Sequence, residues 1–299
     1  MADPIEPVSY RAVTFVDYLG AGLVYAGIAL MRLLPFAWAS NFGGFMARAI
    51  GPHLKKSNVA RRNLKAAFPD KSAPEIEAIV REVWDTLGRA AFEFPLMDRL
   101  LHEPDSRRID IEGREYLDAS LASGKPVLFF SAHLGSWEMV PLSSTIFGFN
   151  SHVFYRAPNN PLLLKLFSAR HARGELIPKG AAGARRAFAL LKRGDNLGIL
   201  VDQKLNDGIA VPFFGRDAMT GTALAEFALR FDAPVVPVRC ERLPGVRFKL
   251  TFHPPLDITK TGEHKADVKT IMTQVNATLE RWIRETPGQW LWLHNRWPD

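Results

Sequence analysis

The sequence predicts an α/β fold, a mostly parallel sheet flanked by helices, preceded by an apolar membrane-anchoring helix. Three observations lead there. Strand-like runs at 126–130, 152–155, 197–201, 234–240 and 247–252 alternate with helical spacing at 161–172, 182–192 and 222–231. Strands separated by helices form right-handed crossovers and hence a parallel sheet. The window from Tyr18 to Trp38 carries one charge, Arg32, over a length close to the roughly 20 residues that a bilayer core requires. Finally, 299 residues at 47% hydrophobic and 23% charged can bury a full core, which excludes a disordered chain.

At the amino end, Asp3, Glu6 and Asp17 stand where a cleaved leader would carry basic residues, so the apolar run reads as an anchor. It either spans, with Arg32 reaching the interface, or lies deep in the interface. Residues 1–50 form this membrane segment and residues 51–299 a globular domain. Only Arg11 precedes the run, whereas Arg48, Lys55, Lys56, Arg61, Arg62 and Lys65 follow it. That asymmetry places the domain in the cytoplasm, and the basic cluster suits anionic headgroups at about 1 kcal/mol per residue. From Ala73 to Leu101 a periodic apolar face (Ile76, Ile79, Val80, Val83, Leu87, Phe94) predicts a packing helix entered through Ser72 and Pro74.

The chemistry concentrates between Lys125 and Glu138. The uncharged run 126–130 predicts a buried strand, and Trp137 to Phe147 a helix capped by Ser136. His133 and Glu138 are five residues apart, which on one helix would turn them about 140° away from each other. They meet only if the chain bends, and Gly135 allows a bend. An imidazole beside a carboxylate at the carboxyl end of a strand suits general-base removal of a hydroxyl proton. The same pair also fits a strand-end histidine and a glutamate facing a helix dipole.

Composition narrows the remaining chemistry. One cysteine, Cys240, excludes an internal disulfide, and the histidines lack metal-site spacing, so no metal is expected. No glycine-rich phosphate loop and no GxSxG elbow appear, so neither a nucleotide cofactor nor a serine nucleophile is expected. A net charge of +7 calls for acidic partners: phosphate-bearing lipids, an acidic carrier protein or nucleic acid. The anchor and the lack of a base-reading motif argue against nucleic acid.

These residues occur in a recognisable order. His133 with Glu138 resembles an HxxxxD/E motif, Tyr155-Arg156 with Asn160-Pro161 a second block, and Asp202-Gln203 after an apolar strand a third. Phe213-Phe214-Gly215 with Thr220, and the closing Trp290-Leu291-Trp292-Leu293-His294-Asn295-Arg296-Trp297, complete the pattern. Nearly the whole chain thus resembles the bacterial lipid A late acyltransferases (lauroyl and myristoyl transferases), within the lysophospholipid acyltransferase superfamily. The small departure is Ser136, where relatives often carry Asn.

The resemblance implies a glycerol-3-phosphate acyltransferase-like fold at the cytoplasmic face of the inner membrane. It implies acyl transfer from acyl carrier protein to a hydroxyl of a lipid A precursor, among inner-membrane phospholipids and without a cofactor. His133 is then the base and Glu138 its orienting carboxylate. Arg156 either clamps a lipid phosphate or faces the oxyanion. Asp202 and Gln203, at the same sheet edge, either bond the sugar, support the base or form a plain turn. Asn160 joins the substrate-binding set with the second block, and Arg170 and Lys179 are candidates for phosphate or the acidic carrier. Phe213 and Phe214 either line an acyl groove or pack in the core. The carboxy-terminal tryptophans with Arg296 read as an interfacial aromatic belt or as an aromatic core.

Overall fold

The structure, a computed structural model, describes residues 12–102, 105–168 and 173–297. Strands β1 (Ile109–Glu112), β2 (Leu128–Ser131), β3 (Ser151–Tyr155), β4 (Leu176–Pro178), β5 (Asn196–Leu200), β8 (Val235–Leu243) and β9 (Arg247–Phe252) form one sheet in the order β1-β9-β8-β2-β5-β3-β4. All neighbours are parallel except β8 and β9, which form a hairpin. Strands β6 (Ile209–Phe213) and β7 (Arg216–Thr220) form a separate antiparallel ribbon. The expected α/β class and parallel sheet are present.

Ten α-helices accompany the strands among the described residues: α1 (Phe15–Arg32), α2 (Phe36–Ile50), α3 (Ser57–Ala67), α4 (Ala73–Glu93), α5 (Arg114–Ala122), α6 (Met139–Phe147), α7 (Leu164–Ser168), α8 (Ala181–Lys192), α9 (Ala223–Phe231) and α10 (His264–Glu285). Two apolar clusters fill the faces of the sheet. One gathers α3, α4, α8, α9, α10 and the carboxy-terminal tryptophans, and the other Phe36, Leu96, Leu117, Phe129, Met139 and Phe248. Strand β2 supplies both, because alternate side chains point to opposite faces: Leu128 and Phe130 to the first, Phe129 to the second.

Several expectations shift. The helix entered at Ser72 closes its first turn with a capping box to Glu75, as the pattern S-x-x-E allows, but its α-helical part ends at Glu93 and continues as 3-10 turns from Phe94 to Leu101. The helix expected at 161–172 is a 3-10 turn at Pro161–Leu163 followed by α7, and residues 169–172 lie outside the described ones. Helix α6 begins at Met139, so Ser136 is not its cap. Gly135 makes the turn with φ +59°, where a Cβ would sit 2.4 Å from the Cys240 carbonyl oxygen, and Ser136 Oγ lies 3.5 Å from Glu93 Oε2.

The single apolar helix expected through Tyr18–Trp38 is two helices. Helix α1 ends at Arg32, and Pro35 stands at the N-cap of α2, where a ring without an N–H interrupts the ladder. Helix α2 packs on α4 so closely that a Cβ on Gly43 would lie 2.5 Å from the Gly88 carbonyl oxygen. A buried ion pair ties this layer to the sheet: Arg242 of β8 donates to both oxygens of Glu93 at 2.6 and 2.7 Å, and Ser40 of α2 donates to Glu93 at 2.6 Å. A boundary at residue 50 therefore cuts through packed structure, since Phe36 and Ala39 belong to the core.

Candidate active site at the sheet edge

Strands β2 and β5 are parallel neighbours in the register Ser131↔Leu200, so the chain leaves both at the same carboxyl edge. His133 lies two residues beyond β2, and Asp202 two residues beyond β5. This topology brings them together. His133 Nδ1 is 2.8 Å from Asp202 Oδ1, and the His133 backbone N–H donates to Asp202 Oδ2 at 2.9 Å. The Trp290 indole Nε1 donates to the same Oδ2 at 2.8 Å. Asp202 is fully buried, and burial alone would raise its carboxyl pKa. The His133 charge and hydrogen bonds, with the His294 ring nearby, instead hold it well below the ordinary carboxylate range.

The carboxy-terminal segment forms the floor beneath this pair. Gly135 N–H donates to the Gln289 carbonyl at 2.9 Å and Leu291 N–H to the His133 carbonyl at 3.0 Å, so an antiparallel bridge between Leu134 and Trp290 holds the His133 loop. His294 donates from Nδ1 to the Leu291 carbonyl at 2.7 Å, with Nε2 3.3 Å from the Asp202 carbonyl oxygen. Burial holds its imidazole pKa below the ordinary value, partly offset by Asp202.

Above the pair opens a cleft of about 270 Å3, lined by His133, Trp137, Glu138, Tyr155, Arg156, Lys179 and Gln203 at the polar end. Val140, Pro141, Val153, Phe154, Ile199 and Leu200 give it an apolar wall, and Gly198 keeps one stretch of that wall free of a side chain. Lys179 Nζ lies 3.4 Å from Gln203 Oε1, and Arg156 Nη2 3.4 Å from Asn159 Oδ1, so both cations are only loosely held. The Trp137 ring tilts against His133 with centroids 5.4 Å apart, and its indole donates to Glu138 Oε1 at 3.2 Å.

Sequence reasoning made Glu138 the orienting carboxylate and gave Asp202 support of the base among its roles; here Asp202 holds Nδ1, while Glu138 stands on the cleft wall. Asn160 is not among the cleft-lining residues: its carboxamide caps the turn at Leu162 N and donates to the Asp17 carbonyl of α1 at 2.9 Å. Arg170 lies outside the described residues. Phe213 and Phe214 do not line the cleft. They are buried against Trp290, Trp292 and Trp297, because β6 packs on the carboxy-terminal block. That block is no membrane belt either. Trp282, Trp290, Trp292 and Trp297 are buried, and the Arg296 guanidinium, pushed down to about 10 by burial, donates to the Met219 carbonyl and Thr220 Oγ1. Sequence reasoning gave Trp290 and His294 no role in the site; their only signal was their place in the closing block.

A family model for the bacterial lipid A biosynthesis acyltransferases matches residues 9–299. The chain belongs to that family. It is 27% identical over 294 residues to the lipid A biosynthesis palmitoleoyltransferase of Escherichia coli (strain K12), covering 94% of this chain and 90% of that one. It is 22% identical over 288 residues to the lauroyltransferase of the same organism, covering 94% and 91%. It is also 26% identical over 308 residues to the phosphatidylinositol mannoside acyltransferase of Mycobacterium tuberculosis (strain H37Rv), covering 98% and 92%. Among the described residues no cluster of His, Cys, Asp and Glu is fit to hold a metal ion.

Proposed function

We propose that this member of the family transfers a fatty acyl chain from acyl carrier protein to a hydroxyl of a lipid A precursor, with His133 as general base. The observation that carries this reading is the His133–Asp202 pair at the mouth of a cleft with one apolar wall and a cationic rim. Asp202 accepts a hydrogen bond from Nδ1–H and so leaves Nε2 as the nitrogen available to the acceptor hydroxyl. Nε2 removes the hydroxyl proton as the oxygen attacks the thioester carbonyl. The C–S bond then breaks, and the imidazolium returns the proton to the departing thiolate. No covalent acyl-enzyme forms. Glu138 places a second carboxylate at the cleft, beside the ring that becomes cationic. Arg156 meets a lipid phosphate, Lys179 and Gln203 border the same opening, and the apolar wall receives the acyl chain.

The donor is a cytoplasmic acidic protein and the acceptor a membrane lipid, so the site works at the cytoplasmic face of the inner membrane. The similarity to a phosphatidylinositol mannoside acyltransferase supports a second acceptor of related chemistry, another phosphorylated glycolipid. One assay separates them. Purified protein is given acyl carrier thioesters of several lengths with either a lipid A precursor or a phosphatidylinositol mannoside, and products are weighed by mass spectrometry. Acylation of the lipid A precursor is expected; acylation of the mannoside alone would replace the acceptor while keeping the chemistry.

A further inference from the structure

Helices α1 and α2 are built inside out. In α1 the inward positions are Asp17 and Ala21, while Phe15, Leu19, Leu23 and Leu30 are exposed. In α2 the small residues Ala39, Ser40, Gly43 and Gly44 face the body, and Trp38, Phe42, Phe45, Met46 and Ile50 face outward. A helix of a water-soluble surface buries its large apolar side chains; apart from the buried Phe36, these helices expose theirs, the kind of apolar surface that marks an interaction site. From residue 12 to 56 the only acid is Asp17, which is buried, whereas Arg32, Arg48, Lys55 and Lys56 are exposed; Arg32 pairs with Asp98 at 2.8 Å and Arg48 with Asp85 at 3.1 Å. Lys55 and Lys56 have no side-chain partner among the described residues.

The orientation of α1 is constrained along its whole length. In its first turn the Asp17 carbonyl accepts from Asn160 Nδ2 at 2.9 Å, at its middle Tyr25 Oη donates to the Leu162 carbonyl at 2.9 Å, and in its last turn Arg32 Nη1 donates to the Pro95 carbonyl at 2.7 Å. A helix crossing a bilayer would carry its middle into hydrocarbon, where loop carbonyls such as those of Leu162 and Pro95 could not follow without losing their water. Its 18 residues span about 27 Å, long and apolar enough to cross by length and composition alone, so it is these three contacts that set its orientation.

We infer that α1 lies in the plane of the membrane rather than across it, and that with α2 it forms the face by which the enzyme docks on an anionic lipid leaflet. This deepens the reading of the site as one that works on membrane lipid. Large apolar side chains enter the acyl boundary, and Lys55 and Lys56 after α2 meet the headgroups. Because Asn160 and Leu162 belong to the loop that carries Arg156 to the cleft, the docking face is hydrogen-bonded to the segment that bears the cleft rim.

The test is topological and does not depend on activity. Cys240 is buried with its thiol pushed up to about 12, so the natural chain is a silent background for labelling. Val13→Cys, before α1, and Lys56→Cys, after α2, are placed separately in the full chain. Spheroplasts are treated with a charged, membrane-impermeant maleimide before and after permeabilisation. In-plane docking puts both thiols on one side, so neither reacts until the membrane is opened. Reaction of Val13→Cys alone in sealed cells would show that α1 crosses and overturn the inference. Reaction of both in sealed cells would keep α1 in the plane and instead sink the cytoplasmic placement. A second measurement uses vesicles of phosphatidylglycerol and phosphatidylethanolamine. Trp38→Glu with Phe45→Glu, both at exposed positions, is expected to lower partitioning at least tenfold, and pure phosphatidylcholine to bind the wild type more weakly. Unchanged partitioning of the double variant would remove α2 from the docking face.

Discussion

The floor and the rim of the cleft are made differently. The floor is the buried Asp202 and Trp290 with the part-buried His294, side chains whose polar atoms meet one another, His133 or main-chain carbonyls. The rim is Glu138, Arg156, Lys179 and Gln203, borne on turns and strand ends, with Arg156 meeting Asn159 and Lys179 meeting Gln203 at 3.4 Å. A fixed floor is what a general base needs, because tautomer and ring orientation must be set before substrate arrives. A loosely held rim suits groups whose partners are brought by the acceptor and donor. The difference predicts a ranking: disturbing the floor should lower kcat, and disturbing the rim should act more through binding.

The largest effect is expected at the base itself. His133→Ala should lower kcat by about 10² to 10⁴, the range for losing a general base. Asp202→Asn should approach that loss, since a carboxamide has one acceptor oxygen for three donors and cannot balance imidazolium. The double variant should be little worse than His133→Ala alone, because residues acting as a unit are not additive. Multiplying losses in the double variant would show that the two act separately. Asp202 also couples to stability. Its folded-state pKa lies below the ordinary 3.8, so its ionisation stabilises the fold fully above that value, and the stabilisation is lost as pH falls through the lower folded value. Denaturation of wild type and Asp202→Asn should therefore differ at pH 7 and converge only in strong acid.

At the rim, Glu138→Gln sharpens the comparison most. With Asp202 holding Nδ1, loss of the second carboxylate should reduce kcat by about tenfold to 10², less than Asp202→Asn; a larger loss than at Asp202 would reverse the ranking of floor and rim. Arg156→Lys should be milder and mainly raise the acceptor KM, because lysine keeps charge but not the planar fork that grips phosphate. A defect confined to kcat, equal for phosphorylated and dephosphorylated acceptors, would move Arg156 to the oxyanion.

This division also explains what the sequence made legible. The strand before His133 was readable because five uncharged residues in a row leave few alternatives, and α8 and α9 because their spacing is regular. Strands β1 and β4 were not: Ile-Asp-Ile-Glu and Leu-Ile-Pro lie at the sheet edges and are too short for a period to show. The cleft rim was largely found, since charged residues after apolar runs stand out. The floor was found only in part: Asp202 stood out after an apolar strand with support of the base among its roles, but its direct bond to His133 spans 69 positions and depends on β2 and β5 being neighbours, which no local pattern encodes, and Trp290 and His294 were given no role. Aromatic residues were ambiguous for the same reason. Trp290 and Trp38 share composition and a nearby basic group, yet one is buried on a carboxylate and the other exposed beside small residues.

The smallest effect, and the finest probe of the floor, is expected from Trp290→Phe. The phenyl ring keeps most of the packing against Phe213 and Trp292 but removes the indole N–H that Asp202 Oδ2 accepts at 2.8 Å. Hydrogen bonds to charged groups contribute about 1.5–3 kcal/mol, so chemical denaturation should show a loss of that order. The His133 backbone N–H still holds the same oxygen, so the carboxylate keeps its place, and kcat should fall only a few-fold with the KM for either substrate unchanged. If Trp290→Phe instead lowered kcat as far as Asp202→Asn, the indole would be setting the position of the carboxylate rather than only sharing it. The floor would then depend on the carboxy-terminal segment as much as on the two strands.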